Sequence, residues 1–299
     1  MPERLILTAA SQPYGPSLLA LVGSLNLNWP DHPPVRVYDI GLSAETLEPL
    51  AEAGVEVVQV PPFVPHWRKH FTWKLWCWNE APARDIFWLD AGSAVLQPMP
   101  EVFTALDALG YFLIPTYRSL EENASLAACE GCGVPPEARE GRMTLAAGAS
   151  GFRKEGVVGR VLEEALEVAR TERYIAATEP LHRHDQALLS LLMYKHFGDL
   201  VLADGLVYGG WKSPFEVPAQ KLWAHRRGMS EKDHAHFAAH LASGGPPHMP
   251  SAPTPPQPIR RTPVQYAGLA LYKVRERLRG GPREQPQPGF TVPYDGIRD

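Results

Sequence analysis

Short apolar runs alternate with stretches of helical periodicity through the first part of the chain. Residues 4–10, RLILTAA, form a compact apolar run that reads as a strand, and residues 14–27 are rich in leucine at helical spacing. Residues 35–40 read as the next strand. Ser43 then stands where it can N-cap a short helix that Gly54 ends, and residues 55–60 follow as a third strand. This alternation predicts an α/β fold, a mostly parallel sheet flanked by helices. Pro61-Pro62 interrupts it.

Residues 67–80 read as a helix that is apolar nearly all round. Trp67, Phe71, Leu75 and Trp78 share one face, and Trp73 and Trp76 cover others, a pattern that predicts burial. Lys74 lies inside this helix, and a buried ammonium needs an anionic partner, either a structural carboxylate or a bound phosphate. Residues 85–90, DIFWLD, read as a strand that delivers Asp90 at its C-terminal end, where open α/β sheets gather ligands. A helix is expected after Pro100, a strand over 111–114, a loop over 121–141, and a small-residue strand or turn over 146–152. Amphipathic helices over 156–173 and 185–196 and a short late strand over 200–203 complete the reading.

Composition divides the chain. Residues 1–240 read as one globular domain; eight prolines between Pro246 and Pro263 mark residues 241–263 as an extended linker. Residues 264–299 form a basic tail whose start, 264–279, has amphipathic helical spacing suited to an anionic membrane surface. The net charge of −4 over 299 residues gives the whole no electrostatic reason to bind nucleic acid. Cys129 and Cys132 make a lone CxxC without a second pair, which reads as loop cysteines rather than a zinc site. His182 and His184 are expected in an exposed loop, and His234, His236 and His240 on a solvated helix face. The first residues lack the basic and apolar regions of a signal peptide, and no apolar run approaches the roughly 20 residues of a membrane span, so a cytoplasmic protein is expected.

The order of several short motifs brings in a resemblance. Phe71-Thr-Trp-Lys74-Leu-Trp, followed by Phe87-Trp-Leu-Asp90-Ala-Gly-Ser-Ala-Val-Leu-Gln-Pro98, resembles the central block of family 8-type glycosyltransferases of the GT-A (Rossmann-like) fold. Those enzymes place a basic residue on the preceding helix and end a strand with Asp-x-Asp. Leu5-Ile-Leu-Thr8-Ala-Ala10 resembles their first strand, Ala147-Gly148-Ala-Ser-Gly151-Phe152 their glycine-containing strand near the donor sugar, and His184-Asp185-Gln186 the Asp-Gln that opens a later helix. The likeness covers roughly residues 4 to 227. It implies a nucleotide-sugar donor, most simply a UDP-sugar, and a carbohydrate or lipid-linked hydroxyl acceptor. Thr8, Ala10 and Tyr14 would lie near the nucleoside, Lys74, Asp90, Gly92, Gly148 and Lys212 around the diphosphate and donor, and Asp185 and Gln186 at the sugar. Retention of anomeric configuration is what the resemblance implies; an inverting reaction would need a carboxylate base, for which Asp185 is the candidate.

One departure stands out. The motif reads Asp90-Ala91-Gly92, with glycine where the family has its second carboxylate. A leaving nucleoside diphosphate needs a divalent cation or fixed positive donors. The resemblance implies a late histidine ligand, for which His225 is the candidate; Asp90 would hold Mn²⁺ or Mg²⁺ with it, contact ribose or metal-bound water, or serve a metal-independent enzyme. Two competing readings stay open: a non-catalytic sugar-binding protein on the same fold, and a sugar nucleotidyltransferase. Against the second, Ser11-Gln-Pro-Tyr-Gly15 lacks the glycine-rich basic loop such enzymes place after the first strand.

Overall fold

A computed structural model of the chain describes residues 2–176, 181–209, 219–226 and 228–242. Lys212, the linker beyond residue 242 and the basic tail lie outside the described residues.

The apolar runs become the strands of a mixed, mostly parallel sheet. β1 (Arg4–Ala10) leads through a 3-10 turn into α1 (Gly15–Asn28), then β2 (Val35–Asp39), α2 (Ala44–Glu52) and β3 (Glu56–Gln59). α3 (Thr72–Glu80) precedes β4 (Asp85–Leu89) and β5 (Ala94–Val95). α4 (Glu101–Leu109), β6 (Tyr111–Phe112), β7 (Pro115–Ser119), α5 (Leu120–Asn123), α6 (Leu126–Gly131), β8 (Met143–Leu145) and β9 (Ala149–Arg153) follow. The rest comprises α7 (Gly156–Ala169), α8 (Glu172–Ile175), α9 (His184–Phe197), α10 (Gly205–Gly209), β10 (Leu222–Trp223) and α11 (Glu231–Ala238). Among these residues the main sheet has the order β3-β2-β1-β4-β9-β6. The β1–β2, β2–β3 and β1–β4 pairs are parallel, while β9 runs antiparallel to both β4 and β6.

The sheet is covered on both faces, so its central strands are apolar on both sides. Leu5, Leu7, Ile86 and Trp88 pack with α3, α7 and α9, while Ile6, Phe87 and Leu89 pack with α1 and α4. At the strands' amino-terminal end, Asp85 is fully buried and clasped by Arg84 (2.8 and 3.2 Å) and Arg153 (2.9 and 3.1 Å), with Asp107 joining Arg4 and Arg153. Burial alone would raise the Asp85 pKa; the bonds from Arg153 and Arg84 outweigh it and hold the carboxyl below its ordinary range.

Four expectations are corrected. The helix expected from residue 67 starts at Thr72, because His70 and Phe71 take left-handed backbone (φ +56° and +58°) that an α-helix cannot contain. The expected loop over 121–141 holds α5 and α6, whose N-caps Ser119 and Ser125 each accept a backbone N–H three residues on. Cys129 and Cys132 are consequently buried core residues, not loop cysteines. The strand expected over 200–203 is irregular chain, tied by the bond from Ala203 N to Leu113 O at 2.8 Å. Among the described residues, no helix is long and apolar enough to cross a membrane.

Candidate functional site

Asp90 follows directly on β4, at the carboxyl end of the parallel strands β1 and β4. Because β9 pairs antiparallel with β4, with Leu89 opposite Ala149, Gly148 comes opposite Asp90, and Asp90 N donates to Gly148 O at 2.8 Å. A Cβ on Gly148 would lie 3.0 Å from Asp90 Oδ2, so glycine leaves the carboxylate its place. Lys74 reaches the same point from the first turn of α3, and Asp185 from the first turn of α9.

These side chains form one charge cluster. Lys74 Nζ lies 2.9 Å from Asp90 Oδ1 and 3.0 Å from Asp185 Oδ2, and donates to the Ala147 carbonyl at 3.2 Å. The buried Asp185 Oδ2 is held by this ion pair with Lys74. Trp88 Nε1 donates to Asp90 Oδ1 at 2.8 Å, and the rings of Phe71, Trp73 and Trp88 stand 5.3 to 5.9 Å from the ammonium. Burial lowers the Lys74 pKa, but the two carboxylates more than compensate and raise it. Burial lifts Asp185 above the usual carboxylate range; Lys74 opposes this and nearby Asp90 reinforces it. The side chains of Lys74 and Asp185 are 3% and 5% exposed, that of Asp90 43%. The cluster therefore shows solvent a single carboxylate, braced from behind. The partner demanded by the buried Lys74 is a pair of structural carboxylates.

The surroundings of Gly92 leave no room for a carboxylate. A Cβ there would meet Arg226 Cα at 2.9 Å and Arg226 O at 3.0 Å, and Arg226 N donates to Gly92 O at 2.7 Å. Backbone thus occupies the space an aspartate would need. The same contact sets His225 beside the Asp90 turn. His225 is buried, neither ring nitrogen has a hydrogen bond of good geometry, and Trp223 and His234 flank it at 5.2 and 5.6 Å between ring centres. Burial and the nearby His234 push its pKa down to about 3, against a small opposing effect from the Ser93 backbone. Among the described residues, no group of three or more His, Cys, Asp or Glu side chains converges on one point.

The remaining site expectations scatter around this centre. Thr8 is fully buried inside β1 with an unpartnered hydroxyl, Ala10 ends that strand, and Tyr14 is half-buried at the start of α1. Gln186 is half-buried one residue after Asp185. His182 is buried rather than in an exposed loop. Its Nδ1 accepts from Ser125 N at 3.2 Å, which puts the proton on Nε2, facing Ile175 O at 3.2 Å. His184, half-buried, lies 2.9 Å from the same carbonyl. The helix carrying His234 and His236 packs on α1, where a Cβ at Gly23 would overlap Phe237 O, so both histidines are half-buried. Sequence reasoning missed Trp88, the Ala147 carbonyl and Arg226. It also missed a cleft of about 270 Å³ at the carboxyl ends of β2 and β3, lined by Asp39, Gln59, Pro61, Trp67 and Arg68 among others. A larger one of about 400 Å³, between α1, α2 and α11, contains none of the Lys74 cluster.

No family model matches the chain, and no curated protein sequence matches it. Similar solved structures include the bifunctional glycosyltransferase WbbM in its apo form, with 13% identity over 89% of this chain and a TM-score of 0.52. The match spans 51% of WbbM, about half its length. They also include the galactosyltransferase LgtC in complex with donor and acceptor sugar analogues (15% identity, 94% of this chain, 98% of that one, TM-score 0.46). The glycosyltransferase GlyE of Streptococcus pneumoniae TIGR4 is a third (12% identity, 81% and 60% coverage, TM-score 0.47). The fold assignment rests on the sheet order and the WbbM likeness, and at this identity the likeness extends to the fold alone. The chain has the mixed, mostly parallel, helix-flanked sheet of the GT-A fold.

Proposed function

We propose that this protein transfers a sugar from a nucleotide donor, a UDP-sugar in the simplest case, to a carbohydrate or lipid-linked hydroxyl. The observation that carries the reading is the Lys74 cluster: residues from α3, the end of β4 and the start of α9 converge where open α/β sheets bind ligands. Asp90 is the exposed member and takes the ribose side of the donor, where a carboxylate accepts hydrogen bonds from hydroxyls. Asp185 is locked behind Lys74, which suits a positioning residue and not a base for an inverting reaction. Gln186, next to it, is the donor-sugar contact. Ala10 and Tyr14 line the nucleoside side, with Thr8 buried behind them in β1 and Lys212 as a further phosphate contact.

The residues present fit a divalent cation poorly. Asp90 is a single carboxylate already neutralised by an ammonium, backbone fills the place of a second at Gly92, and His225 is a lone buried imidazole. What the chain's own residues do is orient Asp90: Trp88 and Lys74 fix one oxygen, and Gly148 leaves room for the other.

A thermal-shift panel of nucleotide sugars, each with Mn²⁺ and with a chelator, followed by donor hydrolysis, tests the reading. The expected result is stabilisation by a UDP-sugar under both conditions and hydrolysis that Asp90→Ala abolishes without unfolding the protein. If no nucleotide sugar binds, the reading fails. The lost second carboxylate favours one competitor, a non-catalytic binder, which would show binding but no turnover with any acceptor. We place the protein in the cytoplasm, held to anionic membrane by its basic tail; deleting the chain beyond Pro246 should then release it from anionic liposomes.

A further inference from the structure

We propose that the exposed ring of Phe71 is a stacking platform for a pyranose ring of the acceptor, an inference that rests on the transferase reading. Phe71 immediately precedes α3 and is 46% exposed, with its ring centre 5.3 Å from Lys74 Nζ, 6.0 Å from the Trp73 ring and 6.1 Å from that of His184. It stands beside the cluster and is far more exposed than Lys74 or Asp185, whose side chains are 3% and 5% exposed. The backbone does not favour phenylalanine at this position. Its backbone is left-handed (φ +58°), a conformation that penalises a Cβ and suits glycine or asparagine, and its side chain offers the helix no cap. Nor does burial favour it, since nearly half of the residue stays in water. The same strain recurs at its neighbours His70 (φ +56°) and His184 (φ +43°), so both helices that supply the cluster begin in forced backbone at this spot.

An aromatic face beside fixed charges and an imidazole matches a pyranose, which has one face of C–H groups and a rim of hydroxyls. In the transferase reading the donor sugar belongs at Gln186, half-buried beside the buried Asp185, whereas Phe71 stands 46% exposed. The sugar that meets Phe71 is therefore the one arriving from solvent, the acceptor.

Phe71→Gly is the informative variant, because it removes the ring and relieves the backbone together. The assays are thermal unfolding, donor hydrolysis without acceptor, and transfer to methyl hexopyranosides, maltose and cellobiose, with direct titration of the same saccharides. Expected are an unchanged or higher Tm, an unchanged donor KM in hydrolysis, and an acceptor KM raised about threefold to tenfold. Phe71→Trp should keep acceptor affinity. A side chain with a merely structural role would instead lower Tm and spare acceptor KM. An unchanged acceptor KM in Phe71→Gly, alongside working wild-type protein, overturns the platform alone. A loss that falls on donor KM overturns the acceptor assignment. Wild-type protein that binds no nucleotide sugar overturns the transferase reading, and the platform with it.

Discussion

At the scale of the residue, Lys74 sets the character of the site, because two carboxylates meet on it in a nearly dry environment. Removing one partner from a buried ion cluster costs about 3–5 kcal/mol, mostly through charge left uncompensated. Lys74→Met should therefore destabilise the protein by that order in urea unfolding and drive Asp185 further toward its protonated form. The double variant Lys74→Met, Asp185→Asn should recover much of the stability while turnover stays lost, since Asp90 would still lack its brace. A single variant as stable as wild type would refute the cluster's structural role. Lys74 was legible in the sequence because a lysine in an aromatic helix demands an anion. Its partners were not, since periodicity along α3 carries no information about strand ends and helix starts far along the chain. The left-handed backbone at Phe71 was equally hidden, because left-handed turns are ordinarily announced by glycine or asparagine.

Among the elements, the alternation of apolar runs and helical stretches gave β1, β2, β4, α2, α7 and α9 to within a few residues, because each buries a face of the length its pattern shows. The short pairs β5–β10 and β7–β8 had no signal: β5, β8 and β10 have two or three residues, too few for a period, the pairing of β7 is irregular, and all are set by the fold around them. The contact of Gly92 with Arg226 belongs to this class and makes a prediction. Restoring the aspartate that the resemblance would place there, Gly92→Asp, should not create a metal site; it should push the 225–226 segment away and cost about 3 kcal/mol. A stable Gly92→Asp protein with Mn²⁺-dependent turnover would reverse that conclusion. The α1–α11 crossing behaves alike. Gly23→Ala places a Cβ 1.7 Å from Phe237 O, so urea unfolding should show a loss of at least about 3 kcal/mol and release of α11. Sequence patterning cannot show this contact, because a glycine inside a leucine-rich helix looks the same whether or not another helix crosses it.

Across the whole molecule, buried ionisable groups at opposite ends of the sheet make stability fall with acid in two separate steps. His225 is held neutral, with its pKa depressed to about 3 by burial and by His234, while in the unfolded chain it titrates near 6.5. The unfolded state therefore binds the proton first. Stability is full above about pH 6.5 and declines below it, by about 2 kcal/mol from this residue at pH 5. His32, His70 and His234, also lowered chiefly by burial, add in the same direction. Asp85 works in a lower window. Its folded pKa lies below the ordinary 3.8, so its contribution is present above that value and is lost as pH falls further, when the Arg84 and Arg153 clasp opens. Urea titrations from pH 7 to pH 3 should resolve the two. His225→Leu should flatten the limb between pH 6.5 and 5 and leave the steep fall below pH 4; Asp85→Asn should do the reverse, at a cost of about 3 kcal/mol at neutral pH. If His225→Leu follows the wild-type curve over the upper limb, the imidazole does not titrate out of a buried neutral state, and the packing of His225 beneath the Asp90 turn is wrong.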